Sequence, residues 1–363
     1  MALRESVFAA LRALDNLDSG KELISDRELC QLEIDGRDVR LKITFGYPMN
    51  SQVVCIRKKI STALEEIDGI GKVDIDIQSQ IVAHQAQRGV RHIPGVKNII
   101  AIASGKGGVG KSTTATNLAL SLSDEGARVG LLDADIYGPS IPHMLGLAGK
   151  QPTSDDGQLM EPLEAYGIKA MSIGFLIEAD TPMIWRGPMV VQALNQLLFE
   201  TRWGELDYLL IDLPPGTGDV QLSLAQKVAI SGALMVTTPQ DIALIDVKKG
   251  FRMFEKVSVP VLGVVENMSL YVCPECGHVE HIFGAGGGEK IGAELGVDCL
   301  GWLPLDFSIR QFADEGKPIP VSAPASRTAD IYRSIARQMT ARLALRPKDM
   351  SRKIPPIVVK NPA

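Results

Sequence analysis

The sequence has few cysteines, no long apolar run and no excess of positive charge, and each absence excludes a class of protein. Five cysteines in 363 residues are too few, and odd in number, for a disulfide framework, so a reducing cytoplasm is the expected compartment. No apolar stretch reaches the roughly 20 residues of a membrane span, and residues 1–8 lack the apolar segment of a secretory signal. The net charge of −5 does not indicate nucleic-acid binding. We therefore expect a cytoplasmic protein that binds neither membranes nor nucleic acids.

The sequence does contain a glycine-rich phosphate-binding loop. Residues 105–113 read Gly-Lys-Gly-Gly-Val-Gly-Lys-Ser-Thr, which satisfies G-x-x-x-x-G-K-S/T between an apolar strand pattern and a helical pattern. Backbone N–H groups and the helix N-terminus favour a bound phosphate there. Lys111 would contact the β- and γ-phosphates, and Ser112 would ligate Mg²⁺. The expected nucleotide contacts in this loop are Gly105, Lys106, Gly107, Gly108, Val109, Gly110, Lys111, Ser112 and Thr113.

Acidic residues follow two further strand patterns, where they are expected to lie beside the phosphate loop. Asp212 ends the apolar run 207–212, a position that suits a carboxylate acting on Mg²⁺ through its water shell. Asp133 and Asp135 follow the run 129–132, and one of them must orient the attacking water. The alternative is that these acids only cap loops.

The segment after Asp212 contains two prolines and a glycine. Gly216 could offer its N–H group to the γ-phosphate, so we expect residues 214–219 to distinguish ATP from ADP.

Cys273 and Cys276 form a C-x-x-C pair. Two thiolates at this spacing can bind one metal from the same side. Taken alone, the residues leave three interpretations open: a zinc site completed by His278 and His281, a redox disulfide, or half of a four-cysteine cluster site completed by a second subunit. The histidines follow so closely that a tetrahedral zinc site would be cramped, and Cys299 lies in a predicted strand, a poor place for a third ligand.

Residues 98–345 alternate between strand and helix patterns, which predicts an α/β domain with a mostly parallel sheet. Continuous apolar strands such as 232–236 indicate burial on both faces. Ligands bind such sheets at the carboxyl ends of the strands, where the phosphate loop, the acids and Asn267 all fall. The expected strands lie near 98–103, 128–132, 168–172, 207–212, 232–237, 260–266 and 299–302.

Residues 1–84 have a different pattern and are expected to form a small α+β domain. Residues 85–97 are polar and contain glycine and proline, which is typical of a linker. The proline- and lysine-rich tail, 346–363, is expected to be disordered. Cys55 lies in a predicted helix and is expected to be a small core residue. The predicted helices and strands of this domain cover 6–14, 38–44, 51–67 and 73–77.

The second lysine of the phosphate loop, Lys106, narrows the choice among families of P-loop proteins. With it the loop resembles the deviant Walker A motif of the MinD/ParA-type ATPases, and the wider sequence is similar to the Mrp/ApbC-type iron–sulfur cluster carriers. Residues 1–84 resemble the small N-terminal domain of many of those carriers, although the cysteine usual after the loop proline is missing. The resemblance over 90–340 rests on residues 99–114, 132–140, 185–188, 211–219, 266–269 and 273–277.

This resemblance implies a P-loop ATPase that works as a homodimer. It would hold an iron–sulfur cluster, of 4Fe–4S type, between the two cysteine pairs and transfer it to apoproteins, with cluster scaffold proteins as further partners. It makes Lys106 the lysine that crosses to the partner's nucleotide and Asp135 the water-orienting acid. Asn267 would contact adenine, and residues Pro304 to Asp306 would cover the base, with Asp133 among the cofactor contacts.

The main alternative is a MinD/ParA-like positioning ATPase with a structural zinc at the C-x-x-C pair. Prolines 355 and 356 cannot continue the amphipathic helix that a membrane-cycling form requires, and no basic patch supports a DNA-bound form. A reductase of the nitrogenase-iron-protein type would hold its cluster with two well-separated cysteines per chain, whereas Cys273 and Cys276 are close together.

Overall fold

The computed structural model of the chain describes residues 2–16, 21–24, 28–87, 89–177 and 187–349. Trp185 and Arg186, which contribute to the resemblance, and residues 350–363 of the predicted tail lie outside the described residues. Among the helices of the described ranges, none is long and apolar enough to cross a membrane.

The N-terminal region is a three-stranded sheet covered by two helices. In the central strand, Val39, Leu41 and Ile43 are buried and alternate with exposed polar residues, as a half-buried strand requires. These residues share an apolar cluster with both helices. The elements are α1 (Ala2–Arg12), β1 (Asp15–Asn16), β2 (Lys21–Glu22), β3 (Leu29–Asp35), β4 (Asp38–Phe45), α2 (Val53–Glu65) and β5 (Val73–Ser79), with β3 antiparallel and β5 parallel to β4.

The expectation that Cys55 is a core residue is wrong, because its side chain is exposed. The buried residues of α2 are Ile56, Ile60 and Leu64, which recur at the helical spacing of four. Cys55 precedes this stripe and therefore points away from the sheet.

The remaining residues form the predicted α/β domain around a nine-stranded sheet. Its parallel strands lie in the order β14-β12-β11-β6-β10-β7-β9, with antiparallel β8 beside β9 and antiparallel β13 beside the end of β12. The strands are β6 (Val96–Ser104), β7 (Val129–Asp133), β8 (Leu163–Ala165), β9 (Ile168–Ser172), β10 (Leu206–Asp212), β11 (Gly232–Thr237), β12 (Val261–Val272), β13 (Val279–Glu280) and β14 (Cys299–Pro304).

Every residue of β7, β10 and β11 is buried, which explains their continuous apolar sequences. The helices are α3 (Lys111–Asp124), α4 (Ile141–Met144), α5 (Gly187–Phe199), α6 (Asp219–Lys227), α7 (Asp241–Lys256), α8 (Gly287–Leu295), α9 (Phe307–Asp314), α10 (Ile319–Ser322) and α11 (Arg327–Ala344). The α/β class and the small N-terminal sheet predicted from the sequence are confirmed.

The predicted linker lies along the surface of the α/β domain. The Gln87 side chain donates to Ala225 O at 2.8 Å and accepts from Ile230 N at 3.1 Å. The guanidinium of Arg91 lies 4.2 Å from the centre of the Phe199 ring. Residues 347–349, near the start of the predicted tail, pair with residues 83–85 through an antiparallel bridge.

A buried ion pair of the α/β domain also binds the N-terminal region. Glu125 follows α3, and its carboxylate accepts from Arg337 Nη1 at 2.6 Å. The same carboxylate accepts from Ser51 N at 2.9 Å, just before α2. Glu125 and Arg337 are both buried, and Ala341 of α11 is part of the N-terminal apolar core. The two regions therefore share core residues and a desolvated charge pair.

We predict that Glu125→Ala lowers the free energy of unfolding by about 3–5 kcal/mol, because it removes a buried carboxylate that accepts from both the Arg337 guanidinium and Ser51 N. Chemical denaturation followed by circular dichroism measures the change. The control is Asp314→Ala, which removes an exposed ion pair with Arg310 and should cost less than about 1 kcal/mol. Equal losses in the two variants would contradict the prediction.

Candidate functional site

The phosphate loop connects β6 to α3, with the strand and helix that the sequence predicts on either side. Gly108 and Gly110 have φ angles of 79° and 80°, a conformation that glycine adopts without strain. Gly110 also lies so close to Asn267 that a Cβ atom would be 2.2 Å from the amide nitrogen Nδ2. A side chain at position 110 would therefore displace Asn267 from the loop.

Lys111 forms a buried ion pair with Asp212 at the start of α3. The Nζ–Oδ1 distance is 2.6 Å, with side-chain exposures of 6% and 0%. Lys111 Nζ is also 3.3 Å from Ser112 Oγ. Burial raises the pKa of Asp212, and the Lys111 ammonium opposes that shift. The pair therefore places a desolvated positive charge directly beneath the phosphate loop.

The second oxygen of Asp212, Oδ2, is buried and has no hydrogen-bond partner among the described residues. A buried carboxylate oxygen is normally hydrogen-bonded, so this atom is suited to accept from a further group. Water molecules bound to Mg²⁺ are such donors, and the Ser112 hydroxyl is a direct oxygen ligand of the kind that Mg²⁺ prefers. The residues present thus fit a magnesium ion.

Asp133 binds the backbone of the loop that follows β7. It is the register partner of Asp212 on the neighbouring strand. Its Oδ1 accepts from Asp135 N at 3.1 Å, and its Oδ2 accepts from Ile141 N and Ser172 Oγ, both at 3.2 Å. Burial, followed by the nearby charge of Asp212, raises the pKa of Asp133 to about 8. Its side chain therefore holds Asp135 in place.

The side chain of Asp135 is half-buried, unlike that of Asp133. Burial raises the pKa of Asp135, and the nearby Lys111 ammonium opposes the shift. The charge of Lys111 therefore acts on Asp135 as well as on Asp212.

Sequence reasoning missed Ser172, whose buried hydroxyl donates to Asp133. A signal was available, because Ser172 ends a predicted strand and the carboxyl ends of parallel strands meet at one edge. Neighbouring strands place Asp212 beside Asp133, and Asp133 beside Ser172.

Two other predicted contacts lie on the rim of the loop. The Gly216 N–H donates to Ser104 O at 3.0 Å, so it must leave this carbonyl in order to reach a γ-phosphate. Lys106 lies in the half-exposed part of the loop, and its ammonium forms no ion pair within the ranges that the structure describes. The structure thus places both Lys106 and Gly216 beside the loop.

Asn267 and Asp306 lie on the other side of the loop. Asn267 is buried, and its Nδ2 donates to Val109 O at 2.9 Å. Asp306 begins α9, where its carboxylate accepts from Ser308 N at 2.9 Å and from Thr328 Oγ1 at 3.1 Å. The predicted base-covering loop is therefore anchored by Asp306, while Asn267 contacts the phosphate loop itself.

Cys273 and Cys276 lie at the tip of a hairpin between β12 and β13. Cys273 N donates to His278 O, and Gly277 N donates to Cys273 O, both at 2.9 Å. The N–H groups of Cys276 and Glu275 lower the pKa of Cys273, which favours the thiolate that binds metals. Cys273 is half-buried and Cys276 is exposed, so both thiols are accessible at the surface.

The hairpin offers two metal ligands. His281 Nδ1 is 2.7 Å from Ser269 O, which anchors the imidazole to the base of the hairpin. Within the described parts of the chain, no group of three or more His, Cys, Asp or Glu side chains is arranged to hold a metal. Burial raises the pKa of Cys299 to about 11, which keeps that thiol neutral. The pair consequently resembles half of a site more than a complete zinc site.

Comparison with known proteins identifies the family. A family model described as NUBPL iron-transfer P-loop NTPase matches residues 95–340. The chain belongs to this family. A second model, described as iron–sulfur cluster assembly protein, matches residues 4–77 of this iron-transfer NTPase. The resemblance to P-loop cluster carriers inferred from the motifs is confirmed.

Relatives of this iron-transfer NTPase are named iron–sulfur cluster carrier proteins. One from Pseudomonas fragi is 54% identical over 278 residues, which cover 76% of this chain and 97% of the relative. One from Escherichia coli K12 is 53% identical over 305 residues, covering 84% and 83%. A third, from Deinococcus radiodurans, is 42% identical over 344 residues, covering 95% and 97%.

Solved structures share the fold of this iron-transfer NTPase. A nucleotide-binding protein from Archaeoglobus fulgidus in complex with ADP has a TM-score of 0.55 and 39% identity, covering 61% of this chain and 88% of that one. The cell division ATPase MinD from Pyrococcus furiosus has a TM-score of 0.50 and 22% identity, covering 66% and 97%. The second likeness shows the fold alone.

We predict that Asp133 makes the stability of the nucleotide- and magnesium-free protein fall as pH rises. Its pKa is raised to about 8 from an ordinary 3.8, so between these values the native state holds a proton that the unfolded chain has released. Asp133→Asn cannot titrate. Its free energy of unfolding relative to wild type, measured by urea denaturation, should therefore be higher at about pH 8.5 than at about pH 5.5. A pH-independent difference would contradict the assignment.

Proposed function

We propose that this NTPase binds ATP with Mg²⁺ at the phosphate loop, holds a 4Fe–4S cluster between the Cys273 and Cys276 pairs of two subunits, and transfers the cluster to apoproteins. The observation that carries the proposal is the hairpin, which exposes two thiols; among the described residues, no third metal-binding side chain is grouped with them. Relatives that span most of the chain and are named iron–sulfur cluster carrier proteins support it. All five cysteines are unpaired, which agrees with a reducing cytoplasm.

The nucleotide site supplies charge and positioning for phosphoryl transfer. Lys111 would turn from Asp212 toward the β- and γ-phosphates, where its desolvated charge is most effective. Ser112 and Asp212 would hold Mg²⁺, the latter through water. When bound, this ion would neutralise developing charge on the phosphate oxygens. Asp135 would orient the attacking water, and its own position depends on the hydrogen bond that its N–H group donates to Asp133.

Two groups would distinguish ATP from ADP. The Gly216 N–H would exchange Ser104 O for the γ-phosphate, which would move the segment 214–219. Lys106 of one subunit would reach the nucleotide of the other, which makes hydrolysis depend on the homodimer. Asn267 and the residues Pro304 to Asp306 would contact or cover the adenine.

The cluster site follows from ligand count. A 4Fe–4S cluster is held by four thiolates, and one chain offers two on a single hairpin. A two-fold dimer is the smallest assembly of this chain that supplies all four thiolates. Around the thiols, Val272, Val279 and Ile282 expose 43%, 49% and 52% of their surface, which provides apolar area for the contact between subunits. Apoproteins and scaffold proteins would exchange the cluster at this exposed position.

We predict that Asp135→Asn retains ATP binding while turnover falls by about 100-fold or more, because the acid acts on the attacking water rather than on bound ATP. Lys106→Ala should also bind ATP and should lose the hydrolysis that requires a dimer. Calorimetry measures binding, and phosphate release measures turnover. Asp156→Asn, on an exposed loop, serves as the control. Normal turnover in Asp135→Asn would transfer the role to another group.

We predict that anaerobic reconstitution gives about one cluster per dimer, and that Cys273→Ala or Cys276→Ala abolishes it. ATP binding should survive, because the phosphate loop retains its contacts. Iron and sulfide analysis, Mössbauer spectra and light scattering measure cluster type and stoichiometry. Cys299→Ala is the matched control and should retain the cluster. Tightly bound zinc in a monomer, without iron, would contradict the carrier function.

A further inference from the structure

Strand β12 connects the cysteine hairpin directly to the phosphate loop. Asn267 lies within β12, and Cys273 follows its last residue, Val272. The Asn267 amide donates to Val109 O at 2.9 Å and is buried. One strand therefore contacts the nucleotide loop near its middle and leads at its C-terminal end into the metal-binding thiols.

The contact between Asn267 and the loop is tightly constrained. Gly110 leaves no room for a Cβ atom beside the amide nitrogen. The next residue of β12, Met268, has a φ of 56°, a left-handed conformation that costs free energy for a residue with a side chain. The structure thus keeps a strained backbone where the strand turns its amide toward the loop.

Hydrogen bonds on both sides of Asn267 keep the rest of the segment in place. The Glu266 carboxylate accepts from Gly288 N, at the start of α8. His281 Nδ1 lies 2.7 Å from Ser269 O, and Leu270 O accepts from Leu305 N at 2.8 Å. These bonds make Asn267 and the base of the hairpin parts of one hydrogen-bonded unit, so a change in the Asn267 contact alters the strand that leads to the hairpin.

The chemistry of one peptide group explains how a nucleotide acts on this segment. Val109 C=O and Gly110 N–H belong to the same planar trans peptide, so they point in opposite directions. The N–H is one of the loop donors that face phosphate in this motif, and the C=O accepts from Asn267. A bound phosphate would fix this peptide and, because linked hydrogen bonds polarise one another, strengthen the bond to Asn267.

We propose that Asn267 is a positioning residue that transmits nucleotide occupancy from the Val109–Gly110 peptide to the hairpin bearing Cys273 and Cys276. The inference deepens the proposed function, on which it rests for the role of the two thiols. It assigns Asn267 an action that differs from contact with adenine, since the amide acts here on the protein backbone.

The test measures thiol reactivity in the full-length protein without cluster. Iodoacetamide is added to the reduced protein with and without saturating Mg-ADP, and mass spectrometry follows alkylation at each cysteine. In the wild type, nucleotide should change the rates at Cys273 and Cys276 by about 5-fold or more. Cys30 and Cys55, both exposed in the N-terminal region, are internal controls whose rates should not change.

Two variants remove the donor in different ways. Asn267→Ala deletes the amide, and Asn267→Asp keeps the shape but cannot donate to Val109 O. In both, saturating Mg-ADP, verified by calorimetry, should leave the rates at Cys273 and Cys276 unchanged. Asn195→Ala on α5 is the matched control and should respond as the wild type does.

Each other outcome overturns the inference. A wild-type response in both variants, or no response in the wild type, would show that Asn267 does not couple the two sites. Loss of Mg-ADP binding in both variants, or loss of ATP selectivity over GTP with the thiol response retained, would make Asn267 a nucleotide contact only. Anaerobic reconstitution is scored separately, so a wild type that takes up no cluster would refute the carrier function while the thiol response still decides the coupling.

Discussion

The ion pair between Lys111 and Asp212 is the interaction on which the rest of the site depends. Parallel pairing of β7 and β10 places Asp133 directly beside Asp212, so two buried carboxylates must coexist at one strand edge. Without a nearby cation, both would be strongly disfavoured as anions. Lys111, 2.6 Å from Asp212, offsets that charge and leaves Asp133 as the member that takes up a proton. A phosphate that draws Lys111 away must therefore come with a cation of its own.

Much of this arrangement could be predicted from the sequence, because parallel sheets bring the carboxyl ends of their strands together. That rule placed Asp133, Asp135 and Asp212 around the phosphate loop. The different interactions of the three acids could not be predicted, because they depend on the register between strands and on which donors lie within hydrogen-bond distance. The hydrogen bond from Gly216 N–H to Ser104 O could not be predicted either. It depends on the path of the chain, which the local sequence pattern does not indicate.

The cysteine pair shows a different limit. Spacing alone allowed zinc, a disulfide or half a cluster site, because C-x-x-C constrains only the two sulfur atoms. The structure adds what spacing lacks: among the described residues, no third His, Cys, Asp or Glu side chain is grouped with the pair to hold a metal, and the hairpin continues the strand that carries Asn267. The prediction that Cys55 is buried was wrong for a simpler reason. The helical period of α2 was recognised, but the face of the helix that packs on the sheet was not. A shift of one residue moves a side chain from the core to solvent.

The participation of Ala341 in the N-terminal core has a consequence for biosynthesis. That core is assembled from residues near both ends of the chain, so the ribosome releases the first part long before α11 exists. At translation rates of about 5–20 residues per second, the early domain waits for tens of seconds with an apolar face uncovered. During that interval it is a natural client for chaperones that bind nascent chains. The charge pair of Glu125 and Arg337 can form only after α11 has left the exit tunnel and docked.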